Sequence, residues 1–309
     1  MTTKRKVTTI GKLKIATFQA PPEGFDPETA PQSKLLHHGL APRPDKNKEP
    51  DLYKKWHAVY SKKLTHIVPE FVINEQKQHR PAAKRVDIKD GTSTSTNWSG
   101  AVVGSPAGDS FQWITGNWIV PDPNQPPSLP TGKWYYSSAW IGIDGWGSGD
   151  VLQAGTDSDV LVQNGVTHKS VAAWWEWYPN YSVTITNLPV TSGDYMNCLI
   201  CSTGATTATV YLTNVSTNTH VSFQITIPAG ATFKGNSAEW IVEAPTVGGT
   251  QAALADYGAT FFDQSYAYTV KKIQENAGVG NTINMVNSAN TVISQGLIEG
   301  SQLLKVRFV

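Results

Sequence analysis

Six polar side chains stand where a strand-forming sequence ordinarily places apolar ones. They are Asp144 in WIGIDGW, Gln153 and Asp157 in VLQAGTD, Glu176 in WWEWYP, and Glu239 and Glu243 in AEWIVEA. Charged groups are rarely buried without partners, so a glutamate flanked by Trp174, Trp175 and Trp177, and another beside Trp240, call for an account. In one account these strands show a face to water and the carboxylates are simply solvated. In the other they converge on a tryptophan-walled cleft, which the scarcity of charge in this half of the chain favours. A carboxylate in such a cleft can take a proton from water and return it to a leaving group, help typically worth ~10²–10⁴-fold. With an ordinary pKa near ~4.3 it stays usable in mild acid, where an imidazole would be charged. A glutamine amide aimed at a developing oxyanion adds typically ~2.7–4 kcal/mol. Such a pair could hydrolyse peptide bonds. Glu176 and Glu239 could equally act as a retaining glycosidase pair, with carboxyls about ~5–5.5 Å apart, or sit idle in a carbohydrate-binding groove. Taken alone, Gln153 reads as a turn residue satisfied by the backbone.

Other chemistries find no support. Beyond residue 90 the histidines are His168 and His220, both in polar, turn-like settings, and neither has a glycine-framed serine nearby. No His/Cys/Asp cluster has metal-ligand spacing and no glycine-rich phosphate loop occurs, so neither metal nor cofactor is expected. No run approaches 18 apolar residues. Cys198 and Cys201, three apart in YMNCLICS, read as small core residues on opposite faces of a strand.

The elements that must position these groups are strands. FQWITGNWIV, SVAAWWEWY, TTATVYLTNV, AEWIVEA, LLKVRFV and similar segments are rich in β-branched and aromatic residues, and Gly, Asn, Asp, Ser and Pro separate them at short intervals. The reading is all-β: two packed antiparallel sheets, one of which is aromatic on both faces and so lines a groove as well as the core. Charge divides the chain at the same place as composition. Residues 1–90 carry 18 Lys+Arg against 10 Asp+Glu, whereas residues 91–309 carry 7 against 14. Ten of the eleven tryptophans lie between Trp98 and Trp240. Residues 1–90 are therefore a basic leader and 91–309 a mildly acidic body. Within the leader, the proline-punctuated stretch 20–50 is expected to lack fixed structure. DLYKKWHAVYSKKLTHI places Leu52, Trp56, Val59, Tyr60 and Leu64 at helical spacing, with Asp51 as the expected N-cap. HRPAAKRVDIKDGTSTST reads as a linker. The simplest partner for a basic amphipathic helix is the acidic body of its own chain, with Lys54, Lys55, Lys62 and Lys63 facing cleft carboxylates and the apolar stripe covering the cleft.

Five co-linear motifs then carry a resemblance: NWSGAVV at 97–103, SAWIGIDG at 138–145, VLQAGTD at 151–157, WWEWYP at 174–179 and NSAEWIVE at 236–243. Together they resemble the glutamic peptidase (eqolisin) family, from about Asn97 to Val309. The resemblance implies a concanavalin A-like β-sandwich and an acid endopeptidase, with Gln153 and Glu239 as the catalytic pair. It places Trp98, Trp140, Asp157, Glu176 and Tyr178 along the cleft, and Asp144 is added as a polar neighbour. It further implies synthesis with a removable prosegment and secretion; the cut is expected within residues 80–96, a polar stretch rich in small residues. The Met1 end is basic and lacks the apolar stretch of a secretory signal. Ala172 stands where family members carry an acidic residue, and their cysteines around the motifs are absent. The expected molecule is a monomer acting on protein or peptide substrates, its leader docked intramolecularly, with no nucleic-acid or membrane partner.

Overall fold

The computed structural model describes residues 6–83, 86–88, 91–204 and 206–309, with the backbone alone for 86–88. The leader is more ordered than its composition suggests. It comprises strands β1 (Lys6–Ile10) and β2 (Leu13–Thr17), helices α1 (Gln32–His37) and α2 (Pro50–Tyr60), and strand β3 (Phe71–Asn74). The β1–β2 hairpin turns at Gly11, whose φ of +57° glycine adopts without steric cost. The stretch expected to be unstructured holds α1, because Leu35, Leu40 and Ala41 find an apolar surface to bury against. Helix α2 starts at Pro50 with Asp51 in its first turn rather than at the cap; proline's fixed φ suits the first helical position.

The body strands that matter below are β4 (Trp98–Gly104), β5 (Phe111–Ile119), β6 (Ser138–Ile143), β7 (Val151–Gln163), β8 (Val166–Tyr178), β9 (Ser182–Ile185), β10 (Tyr195–Gly204), β11 (Thr207–Asn214), β12 (Thr219–Thr226), β13 (Ser237–Glu243) and β14 (Ala259–Thr269). One layer runs β9–β8–β7–β6–β13–β4, antiparallel throughout. The other runs β14–β5–β10–β11–β12, and the leader extends it through β2 and then β1. Strands Asn281–Val286, Val292–Gly300 and Leu303–Phe308 carry the pairing from β4 round to β14. The result is the expected all-β sandwich of two antiparallel layers.

Period-two alternation makes the β8–β7–β6–β13–β4 layer two-faced. Trp175, Trp177, Ala154, Leu152, Ile141, Trp240, Val242 and Ala101 point into the core between the layers. Their neighbours Trp174, Val151, Trp140, Ile241, Val102 and Trp98 form a second buried cluster on the opposite face. That is why WWEWY is aromatic at every position but one. Helix α2 corrects an expectation: Trp56, Val59 and Tyr60 pack on Tyr211, Leu199 and Cys201 of the other layer, not on the cleft. An apolar stripe takes the broad apolar sheet face, whereas the cleft, lined by carboxylates, takes single cations. Both cysteines are free; Cys198 is buried in the main core and Cys201 is half-buried.

Candidate active site

Strand register brings the candidate residues together. Across the cleft face, Glu176 lies opposite Gln153, Gln153 opposite Gly142, and Gly142 opposite Glu239. Residues directly opposite in paired strands point the same way, so Gln153 and Glu239 flank a position with no side chain. A Cβ at Gly142 would stand 3.2 Å from the Gln153 Cβ and 3.0 Å from the Trp140 ring, so glycine keeps this gap open. Four residues along, a parallel row holds Asp157, Ser138, Glu243 and Trp98. Between the rows Trp140 lies opposite Gly155, where a Cβ would meet the Trp140 Cβ at 2.5 Å.

The leader runs through this cleft. Gln153 Nε2 donates to the backbone carbonyl of His79 at 2.6 Å. The His79 N–H donates to Glu176 Oε2 at 2.8 Å and the Arg80 N–H to Glu243 Oε1 at 3.0 Å. The Arg80 carbonyl accepts from Trp98 Nε1 at 3.0 Å and Asn97 Nδ2 at 3.2 Å; the latter also reaches the Pro81 carbonyl at 3.2 Å. Trp140 Nε1 donates to Glu243 Oε2 at 3.0 Å and fixes that carboxylate. The His79 ring stacks on Trp174, centroids 3.4 Å apart and planes 4° from parallel. Its Nδ1 lies 3.1 Å from Glu176 Oε2 and its Nε2 3.2 Å from Asp157 Oδ1. Lys77 is buried with its Nζ 2.9 Å from Asp157 Oδ2 and 2.7 Å from Asp159 Oδ2. The presumed linker is thus an occupant of the groove as far as Ala83, and Thr92–Ser95 is a strand parallel to Asn281–Val286.

Burial and partners set the charges. Burial raises Glu239 well above the ordinary carboxylate range, with Asp144 adding to the rise. Neither Glu239 oxygen makes a hydrogen bond of ordinary geometry, and Ser237 and the Trp146 N–H only temper the effect. Burial likewise pushes Glu176 to about 7, against the pull of His79, and Glu243 to about 8. Burial disfavours charge on His79, but hydrogen bonds to Asp157 and Glu176 outweigh it and raise the imidazole to about 9. Asp157 is held low by Lys77 and His79 despite its burial. Asp159 is raised to about 7 by burial, with Asp157 adding to the rise, against the pull of Lys77 and His79.

Of the residues singled out in the sequence, Gln153, Glu239, Glu176, Asp157, Trp98 and Trp140 line the cleft, and Tyr178, half-buried, packs against the apolar cluster of that face. Asp144 does not. Its carboxylate turns to the loop at 234–236, accepting the N–H groups of Lys234 at 2.8 Å, Gly235 at 3.1 Å and Asn236 at 3.0 Å. It thereby anchors the chain entering β13, one residue before Ser237. Asn97, Gly142, Asp159 and Glu243 join the site. The alternation of AEWIVEA already put Glu243 on the face of Glu239. Nothing local marked Lys77 and His79, whose partners lie 74 to 97 residues away.

The two-layer fold is that of the solved glutamic peptidases. Scytalido-glutamic peptidase, crystallised with a transition state analog inhibitor, matches with a TM-score of 0.58 at 20% identity, over 69% of this chain and 98% of that one. The aspergilloglutamic peptidase structure from Aspergillus niger matches with a TM-score of 0.51 at 25% identity, over 57% and 99%. The Peptidase A4 family model matches residues 96–308, and the chain belongs to that family. Aspergillopepsin-2 of Aspergillus niger is 31% identical over 196 residues, which are 56% of this chain and 64% of that protein. Scytalidopepsin B of Scytalidium lignicola is 27% identical over 163 residues, 52% and 55% respectively. The chain therefore spans about three fifths of the length of these curated relatives.

Proposed function

We propose that this protein is an acid endopeptidase of the glutamic type, synthesised as a proenzyme whose residues 1–90 hold the catalytic body, 91–309, inactive. The observation that carries the reading is a backbone carbonyl seated on the Gln153 amide, in the row that holds Glu239. In a substrate complex Glu239 takes a proton from water as the water oxygen attacks the carbonyl carbon. Gln153 donates to the oxyanion, and the C–N bond breaks as the proton passes from Glu239 to the leaving nitrogen. Side chains at 97, 98 and 243 hold the peptide through main-chain groups, which fix position without selecting sequence, whereas Glu176 takes both the N–H and the imidazole of His79.

The same contacts explain inactivity before processing. With residues 77–83 in the cleft, their own backbone occupies Gln153, Glu176 and Glu243, so no other peptide can reach the catalytic pair. Family membership leaves the glycosidase and carbohydrate-binding alternatives without support. The test is casein or peptide hydrolysis in acid by the chain after leader removal. Glu239→Gln should abolish it and Gln153→Ala should lower turnover by at least ~10²-fold, the scale of a lost oxyanion donor. Near-native turnover in either folded variant would exclude this catalytic pair.

A further inference from the structure

We infer that the bond this site is arranged to cut in its own chain is His79–Arg80, an inference that rests on the peptidase reading and adds to it the point of processing. The His79 carbonyl is the group on the Gln153 donor. The peptide groups on both sides are held by body side chains: His79 N–H by Glu176, Arg80 N–H by Glu243, the Arg80 carbonyl by Trp98 and Asn97, and the Pro81 carbonyl by Asn97. Ala82 N–H continues the track to the Gly145 carbonyl at 3.2 Å. A segment merely plugging the groove needs no carbonyl on the oxyanion donor, and no N–H on a carboxylate at each neighbouring residue. On the N-terminal side two sockets fix the register. The His79 ring sits between Asp157 and Glu176 against Trp174, and Lys77 sits between Asp157 and Asp159. A slip of one residue would empty both sockets and turn each side chain to the opposite side of an extended chain.

The register also gives the reacting groups room. The Gln153 amide and the Glu239 carboxyl flank the side-chain-free position at Gly142. Neither Glu239 oxygen is committed to a hydrogen bond of ordinary geometry, which leaves both to a water. In the step itself the water oxygen bonds to the His79 carbonyl carbon, one water proton goes to Glu239, and negative charge on the carbonyl oxygen falls on Gln153. Collapse breaks the bond to the Arg80 nitrogen, which receives that proton. The products are residues 1–79 with a new carboxylate and residues 80–309 with a new amine.

The test uses the full chain and its Glu239→Gln variant, incubated at pH 4 and pH 7, with intact-mass and N-terminal analysis. A synthetic peptide of residues 74–86, NEQKQHRPAAKRV, is added separately to processed enzyme. The expected result is a fragment of 230 residues beginning at Arg80, formed by the full chain and not by Glu239→Gln, and scission of the peptide between His and Arg. If casein is hydrolysed but the chain and the peptide are both cut elsewhere, the bond assignment is overturned and the peptidase reading stands. If neither casein nor the peptide is cut by the chain freed of residues 1–79, both fall. Placing proline at position 80 of the peptide removes the N–H that Glu243 accepts. Undiminished scission at that same bond would also overturn the assignment.

Discussion

Changing His79 to phenylalanine, in a chain that also carries Glu239→Gln so that nothing is cut, removes the leader's imidazolium from the cleft. The variant keeps a ring to lie on Trp174. Burial favours the uncharged form of Glu239, so its replacement by the near-isosteric amide leaves the packing undisturbed. The weakening of the leader's hold follows from linkage. His79 rises from 6.5 to about 9 because, in spite of burial, Asp157 and Glu176 stabilise its charged form. That difference corresponds to a few-hundred-fold, on the order of 3 kcal/mol. Truncating one partner of a buried ion pair typically costs ~3–5 kcal/mol, and here Glu176 can trim the loss by binding a proton. Residues 77–83 should therefore leave the cleft roughly 10²-fold more often in the variant. Hydrogen exchange of the His79 and Arg80 amides, corrected for intrinsic rates, reads this directly. The sign of the pH dependence follows from the raised pKa. The contribution of His79 is complete below pH 6.5 and disappears as pH rises through about 9. Glu176, Glu243 and Asp159 face the same segment and each loses the lowering effect of His79 in the variant, so the difference between the two profiles reports His79 together with these carboxylates. Protection within threefold of the parent at pH 6, or a difference that grows between pH 6.5 and 9, would refute the reasoning.

Two further outcomes are expected. Gly142→Ala puts a methyl 3.0 Å from the Trp140 ring, 3.1 Å from the Leu152 carbonyl oxygen and 3.2 Å from the Gln153 Cβ, so its neighbours must shift slightly, and it should lower peptide hydrolysis at least ~10-fold by filling the gap between Gln153 and Glu239. Unaltered kcat with unaltered KM would show that the gap is not where reaction occurs. On the opposite layer, burial lowers His220 to about 3 and, with His38 adding to it, His66 to about 4. His220 faces Thr213, the Gly39 carbonyl, Tyr60 and His66, where strand Thr65–His66 runs parallel to Thr219–His220. A base held neutral by burial stabilises fully above pH 6.5 and increasingly opposes the packed state as pH falls toward 3–4. His220→Phe should thus be less stable at pH 7, losing two hydrogen bonds worth ~1 kcal/mol each, but should lose less on going to pH 4. Denaturant unfolding at both pH values measures this, and an equal or larger acid loss in the variant would remove His220 from the account.

Acid is expected to act on the leader's hold through two groups of residues on two faces of the molecule. In the cleft, Asp157 is lowered by Lys77 and His79, so its contribution to holding the leader is lost as pH falls through its depressed pKa. On the outer face of the other layer, the buried histidines start to oppose packing at higher pH. The lysines of α2, which the sequence suggested as the electrostatic latch, do not reach the cleft. Lys55 lies over the Tyr266 ring and donates to Gln302, while Trp56 and Tyr60 bury apolar surface.

Residue types and alternation were enough to determine the strands and the two-faced layer. A period of two admits no other placement for Glu176, Glu239 and Glu243 once Trp175 and Trp240 are in the core. The motifs around Gln153 and Glu239 carry the resemblance that implies them as the pair. Only the tertiary structure decided which of the conspicuous carboxylates faces the cleft. Asp144 and Gln153 sit in equally apolar contexts, but Asp144, at a φ of +73°, turns out of the sheet to hold a loop ninety residues on. Only the structure, too, showed that the leader enters the cleft through Lys77 and His79 rather than through its amphipathic helix. A helix stripe advertises itself by its spacing, and an extended segment does not. The groove reads that segment through main-chain groups that every residue has and through sockets formed by Asp157, Asp159, Glu176 and Trp174, which lie on two different strands. The physical reason is the same in each case. Local sequence sets the direction in which a side chain points, and what it meets there depends on residues brought close only by the pairing of distant strands.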